Sequence, residues 1–427
     1  MVKMPPVTSW IRRYRSSTLL RRVGTLTTGT VFAQVIQLLN FVLLAKVYPL
    51  PDVGVYSVFI AVVGTLTPAA MLGYEMLIPA VTEQQLRPYL KSLALLLVPI
   101  AALFAAAAML FGYGSWVAVG LWISGAAVQR LAEMYNVRLN RFRRVAAARI
   151  LPAILMSGVL AAFILNGRDS IGTLIVWQAG LTAVLGLGYA AFSLPLNKLA
   201  SRDTGAAMIE TLRASANGPL YLMPSNVLNL IAYNVPVVVI GKWFGPELAA
   251  QYAYVLRFGF GPVGLIGGTL YQVFYGLLAE AARSQNEAMF GQFIRARRLV
   301  FYAATAATLA IALIYPIGFR ILLGPEWMTA GWISVIFAPF FGAMLYLTPL
   351  SVSLNTFNRQ SYELKTQIHY FVISAFSFAV AVALNNFWIG CMLLSWLGCL
   401  RYALLLRDIN MILIENKVIP DAGRQAP

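Results

Sequence analysis

A chain of 427 residues that is 60% hydrophobic and only 11% charged is not a string of soluble domains; its composition is that of a protein whose solvent is the bilayer. The formal charge of +17 would point to nucleic acid in a soluble protein, but here Lys and Arg gather in alternate short breaks between apolar runs. Membrane topology accounts for that pattern, so no nucleic-acid partner is expected.

In chain order, residues 1–22 carry Lys3, Arg12, Arg13, Arg15, Arg21 and Arg22 around Trp10 and Leu19-Leu20. The stretch is too polar for the apolar core of a signal peptide and reads as a retained basic cytosolic segment, either an amphipathic helix lying on anionic lipid or a plain solvated tail. Apolar runs long enough to cross about 30 Å of hydrocarbon, roughly 20 residues each, then recur. They predict helices over 25–47, 54–79, 90–110, 115–136, 145–165, 171–192, 217–241, 249–278, 299–323, 331–354, 367–386 and 387–406, the last two parted only by Asn385-Asn386. The expected fold class is therefore an all-α polytopic membrane protein of about 12 transmembrane helices.

Counting cations in alternate loops orients the chain. One side holds the N-terminus, Arg87/Lys91, the cluster from Arg138 to Arg149, Lys198/Arg202/Arg213, Arg283 to Arg298, Arg359/Lys365 and the C-terminal tail. The other holds Lys46, Arg168, Lys242 and Arg320. Both termini are expected to be cytosolic.

The longest polar stretch between spans, from Ser193 to Asn217, divides the helices six and six. The domain organisation expected is a basic segment 1–22, an N-terminal lobe 23–192, a cytosolic linker 193–216, a C-terminal lobe 217–406 and a cytosolic tail 407–427. Ala45–Tyr56 (AKVYPLPDVGVY) resembles Gly241–Tyr252 (GKWFGPELAAQY), sharing a Lys, an aromatic two later, a Gly/Pro turn and a Tyr opening the next helix. The frame reads as an internal duplication, a common way of building transporters.

Polar side chains inside the spans are the candidates for function. Gln34, Gln37 and Asn40 in helix 1, and Asn226, Asn229, Tyr233 and Asn234 in helix 7, have no partner in lipid. They bond across helix interfaces or face a wet cavity, and their presence on the first helix of both lobes favours a shared central cavity. Among charges at membrane depth, Arg257 lies about a turn and a half into expected helix 8, where a guanidinium costs about 2.5–3.5 kcal/mol unless it faces a cavity or a partner. Its fixed charge and fork geometry suit a phosphate, with snorkelling to the headgroups as the plainer alternative. Lys46 and Lys242 at outer helix ends anchor helices or line a substrate path. Glu75, near the inner end of helix 2, pairs with a basic neighbour or caps such a path, and Arg130 and Glu133 mark the inner end of helix 4.

Helix 8 carries Gly259, Gly261, Gly264, Gly267 and Gly268 around Pro262, a spacing that allows close packing and a kink. His369 reads as interfacial, and Cys391 and Cys399 as small hydrophobes in the last run. No metal cluster, nucleotide loop or hydrolase triad stands in the sequence, so no catalytic residue, metal or cofactor is expected and the chain is not read as an enzyme.

The run from Gly24 to Pro79, GTLTTGTVFAQVIQLLNFVLLAKVYPLPDVGVYSVFIAVVGTLTPAAMLGYEMLIP, is similar to the opening of Wzx-type polysaccharide flippases. Their superfamily, that of multidrug, oligosaccharidyl-lipid and polysaccharide exporters, also contains the peptidoglycan lipid flippase. The resemblance implies two six-helix lobes around a central cavity lined by helices 1, 2, 7 and 8, working by alternating access. It implies an undecaprenyl-diphosphate-linked oligosaccharide as substrate, moved from inner to outer leaflet of a bacterial inner membrane for surface or exopolysaccharide synthesis such as O-antigen. It also implies membrane lipids, a polysaccharide polymerase and glycosyltransferase machinery as partners. Arg257 would represent the family's cationic cavity, with Lys46 and Lys242 beside it. The alternatives are a cation-coupled multidrug exporter, which would use membrane carboxylates that helices 1, 7 and 10 lack, and a non-transporting scaffold in envelope polymer assembly.

Overall fold

The computed structural model describes residues 18–79, 81–110, 116–167, 170–195, 210–213, 223–284, 287–357, 359, 361–416 and 418–419. The expected basic segment up to residue 17, most of the linker and the chain end from 420 lie outside the described residues.

The described chain is all-helical, and twelve long helices follow one another. They are α1 Thr18–Val47, α2 Leu50–Leu66, α3 Glu83–Leu110, α4 Trp116–Arg138, α5 Phe142–Leu165, α6 Ile171–Ser193, α7 Met223–Trp243, α8 Pro246–Ser284, α9 Glu287–Leu323, α10 Met328–Leu350, α11 Ser361–Ala383 and α12 Phe387–Glu415. Among the described residues nine helices are long and apolar enough to cross a membrane, and α7 adds a shorter apolar one. The protein is a multi-pass membrane protein.

Helix ends follow local chemistry. Asn386 caps α12, its side-chain oxygen accepting from the N–H groups of Trp388 and Ile389, while Asn385 takes the left-handed conformation that ends α11. Gly245 at φ +96° turns the chain into Pro246, which opens α8 three residues earlier than the apolar run predicts. The expected helix 54–79 is not continuous. The α-helix stops at Leu66, because Pro68 supplies no N–H, and gives way to two 3₁₀ turns, Thr67–Met71 and Tyr74–Leu77, parted by left-handed Leu72 and Gly73. At the other end of the chain α12 runs past Leu406 to Glu415, because Ile409, Ile412 and Leu413 continue a buried face beyond the charges of Arg407 and Asp408.

The chain forms two compact units. The first comprises Met1–Val47 and Val62–Val227, the second Tyr48–Ala61 and Leu228–Pro427. In the first, α4 and α6 meet at Gly125 and Gly186, where a Cβ on either glycine would enter the other helix's backbone. The core of the second is aromatic: Tyr233, Phe260, Phe340, Phe341 and Tyr370 pack ring to ring at centroid distances of 4.3 to 5.9 Å.

Six of the described helices contain a proline inside them, whose missing N–H strips a partner from the carbonyl four residues back. In three, a neighbouring helix replaces it. Pro152 of α5 frees the Ala148 carbonyl, which takes a 2.8 Å hydrogen bond from Gln129 of α4. Pro236 of α7 frees that of Ala232, to which Ser374 of α11 donates at 2.8 Å. Pro262 of α8 frees that of Phe258, to which the Tyr315 hydroxyl of α9 donates at 2.9 Å. In hydrocarbon no water could take these places.

This pairing is testable as a cycle. Tyr315→Phe leaves a buried carbonyl unsatisfied and is expected to cost about 1–3 kcal/mol. In a Pro262→Ala background the helix supplies its own N–H, so the same substitution is expected to cost little. Thermal unfolding of the four proteins in one detergent measures the coupling, and equal costs in both backgrounds would refute the assignment.

Candidate substrate site

The second unit brings together two chain segments that are distant in sequence. Gly54 of α2 lies against the backbone of Pro246 at the start of α8, so close that a Cβ there would overlap it. Gly241 of α7 faces Val58, where an added Cβ would come within 2.7 Å of the valine side chain. These approaches set Ser57 next to α8, and Arg257 donates to the Ser57 hydroxyl at 3.5 Å. The guanidinium carbon stands 5.8 Å from the centre of the Tyr254 ring, which is fully buried one turn away. Ring and hydroxyl hold the cation by contacts worth about 0.5–2 kcal/mol.

Because α8 opens at Pro246, Arg257 stands about 16 Å along it at a rise of about 1.5 Å per residue, roughly a third of the way through the Pro246–Ala282 span. The guanidinium is half-buried beside Ser57 and Tyr254 and shaped for two oxygens of one phosphate.

The other candidates are distributed as follows. Lys242 is exposed at the end of α7 with its ammonium 4.8 Å above the Trp243 ring, and Lys46 is exposed at the end of α1. Asn40 donates to the Ala153 carbonyl at 3.3 Å and accepts from Ser157 at 2.8 Å, which ties α1 to α5 inside the first unit. Gln34 is half-buried and Gln37 exposed on the same helix. Asn229 donates to Gln367 at 2.6 Å, tying α7 to α11. Asn234 is half-buried, and the side chain of Asn226 lies outside the described set. Packing thus accounts for Asn40 and Asn229, while Arg257 is in a different position: a charge inside a span.

Glu75 falls beyond the Leu50–Met71 span, in the second 3₁₀ turn. Its carboxyl is buried, and its Oε2 has no hydrogen-bond partner among the described residues. Around it Tyr89 of α3 donates to the Tyr74 carbonyl at 2.7 Å, Arg138 of α4 donates to the carbonyls of Ile78 and Val81, and Arg130 of α4 acts from further away. Burial raises the Glu75 pKa, opposed by a backbone hydrogen bond and by Arg130.

Two buried charge sites were not singled out from sequence. Arg401 of α12, inside the last span, lies 4.8 Å from the Tyr370 ring and 4.3 Å from that of Tyr402, and donates to the Thr366 carbonyl at 3.1 Å. The signal for it was a lone Arg within an apolar run. Glu133 of α4, expected to mark an interface, is buried and pairs with Arg149 of α5 at 3.4 Å. Gln129 donates to the same carboxylate, and Arg149 reaches Thr30 of α1 at 2.9 Å, so the group is a self-contained link among three helices. Among the described residues no group of three or more His, Cys, Asp or Glu is arranged to hold a metal.

No family model matches the chain, and no curated protein matches it. Solved structures do share its fold over nearly its whole length. The lipid II flippase MurJ in an inward closed conformation superimposes with a TM-score of 0.66 at 14% identity, covering 92% of this chain and 90% of that one. An inward-facing multidrug resistance MATE family transporter of the MOP superfamily gives 0.65 at 13%, covering 91% and 96%. A further MOP superfamily transporter from Pyrococcus furiosus, described as having a binding pocket of reverse polarity that suggests a different function, gives 0.57 at 13%, covering 93% and 96%. The chain has the fold of MOP superfamily transporters.

Glu75 yields a pH prediction. A carboxyl whose pKa is raised on folding contributes stability that is complete below its ordinary value of 4.5 and lost as pH rises through the raised value. The Tm of the wild-type protein is therefore expected to fall from about pH 5 to about pH 8 more steeply than that of Glu75→Gln. Parallel curves would show that Glu75 titrates normally.

Proposed function

We propose that the protein is a flippase that moves an undecaprenyl-diphosphate-linked oligosaccharide from the inner to the outer leaflet of the bacterial inner membrane by alternating access. The observation that carries this reading is Arg257, a fixed cation inside the Pro246–Ala282 span beside a serine hydroxyl and a tyrosine ring. A diphosphate headgroup is the ligand class such a group recognises best. Within the same unit, Lys242 at the end of α7 would extend the cationic path, and Asn234 of that helix offers hydrogen bonds to sugar hydroxyls.

The fold shared with a lipid II flippase supports the lipid-linked class. A cation-coupled drug exporter is the second reading, prompted by the MATE likeness. It is disfavoured because α1, α7 and α10 contain no Asp or Glu to bind a coupling cation. In the proposed setting both termini are cytosolic, and the polymerase and glycosyltransferases of a surface polysaccharide act before and after the protein. Moving two negative charges out of a negative-inside cell releases about 4.6 kcal/mol per 100 mV, so the membrane potential can drive export.

Reconstitution tests this. Proteoliposomes loaded with undecaprenyl-diphosphate oligosaccharide are expected to translocate the headgroup, faster when an imposed potential favours movement of the anion. Arg257→Ala is expected to lower the rate at least tenfold at unchanged expression, with Arg257→Lys in between. Translocation indifferent to both the potential and Arg257→Ala would sink the proposal.

A further inference from the structure

Between α7 and α11 the second unit contains an apolar groove of about 470 Å³. Its walls run from Ile231 to Trp243 on one helix and from Phe371 to Ala383 on the other, a length of about 18 Å at a rise of about 1.5 Å per residue. The space is opened by Ala375, Ala379 and Ala383 of α11, four residues apart, whose methyl groups line it together with Phe371, Phe378 and Val382. The hydroxyl in the lining, Ser374, already donates to the Ala232 carbonyl, so the groove offers its occupant hydrocarbon contact along its length.

The two ends differ. One is bridged by the Asn229 to Gln367 hydrogen bond and by the Tyr233 and Tyr370 rings, 5.0 Å apart. At the other, the Phe244 and Phe387 rings meet at 6.1 Å, and the Lys242 ammonium sits over Trp243, itself a wall of the groove. An apolar bed with a cation at one end is complementary to an anionic lipid, tail inside and phosphate at the lysine. The lining is apolar along its length, so its fitting occupant is a hydrocarbon chain, and the cation at one end fits a carrier whose headgroup is a phosphate.

We propose that this groove holds the polyprenyl chain of the lipid carrier, with its phosphate at Lys242. The inference rests on the flippase reading, under which the carrier's tail must stay against the protein while its headgroup is moved past Arg257 in the same unit.

The test uses the full-length protein in proteoliposomes with a benzophenone-bearing polyprenyl diphosphate as probe. Irradiation is expected to label the segments 231–243 and 371–383. Excess unlabelled polyprenyl diphosphate should abolish the labelling, whereas the same amount of phosphatidylglycerol should not. Ala379→Trp, which fills the groove, should reduce labelling at least fivefold, and Ala375→Leu gives an independent variant should the first unfold. Lys242→Gln should raise severalfold the competitor concentration required. Labelling elsewhere, equal competition by phosphatidylglycerol, or undiminished labelling of a folded Ala379→Trp protein would overturn the proposal. Translocation without groove labelling removes this inference alone; groove labelling without translocation leaves it standing and removes the flippase reading.

Discussion

A backbone carbonyl in hydrocarbon has no water to turn to, and this protein places prolines where they strip carbonyls of their partners. Gln129, Ser374 and Tyr315 each reach from a neighbouring helix to the exposed oxygen. The consequence goes beyond satisfaction of three groups. Each bond joins a side chain on one helix to one particular carbonyl on another, so α4 and α5, α7 and α11, and α8 and α9 are fixed in register as well as in contact. A slide of one turn would leave a donor and an acceptor unpaired at a cost of about 1–3 kcal/mol. Apolar packing alone discriminates register less sharply, because lipid is as good a solvent for a leucine as another helix is.

The same rule governs charge. Glu133 has Arg149, and Arg401 has two tyrosine rings and a carbonyl, although its Nε is without a hydrogen bond among the described residues. Glu75 lacks a partner at one oxygen, just past the end of a span, where its proton can substitute for one. Arg257 donates to the Ser57 hydroxyl and faces the Tyr254 ring, so it too is set against groups of its own unit.

Twelve helices were legible because each is a run of roughly the length a bilayer demands, ended by Gly, Pro or Asn at most turns. Boundaries were less so: α9 opens at Glu287, twelve residues before the expected 299, and two other ends show why. Pro68 sits in an apolar run that reads as one helix to Pro79, yet the backbone loses its α geometry there. Arg407 and Asp408 read as the start of a tail, while Ile409, Ile412 and Leu413 keep the helix going on a face that only packing reveals. Among site residues, the polar character of Asn40 and Asn229 was plain, but their partners Ala153 and Gln367 lie more than 110 residues away and depend on which helices are neighbours. The alanine face at 375, 379 and 383 was unremarkable in sequence for the same reason; it becomes a groove only opposite α7.

The position of Arg257 follows from where α8 begins. Both α2 and α8 open six residues before a tyrosine, Leu50 before Tyr56 and Pro246 before Tyr252. In the second unit Gly54 lies on Pro246 and Gly241 on Val58, at positions too close for any other residue without movement. Ser57 and Arg257, two hundred positions apart, meet because these glycines let α2 approach α7 and α8. The cation is thus set by backbone packing near the starts of α2 and α8, one turn beyond a buried tyrosine. A group positioned in this way keeps its place when a ligand arrives, which is the condition for binding a phosphate without first reorganising the helix that carries it.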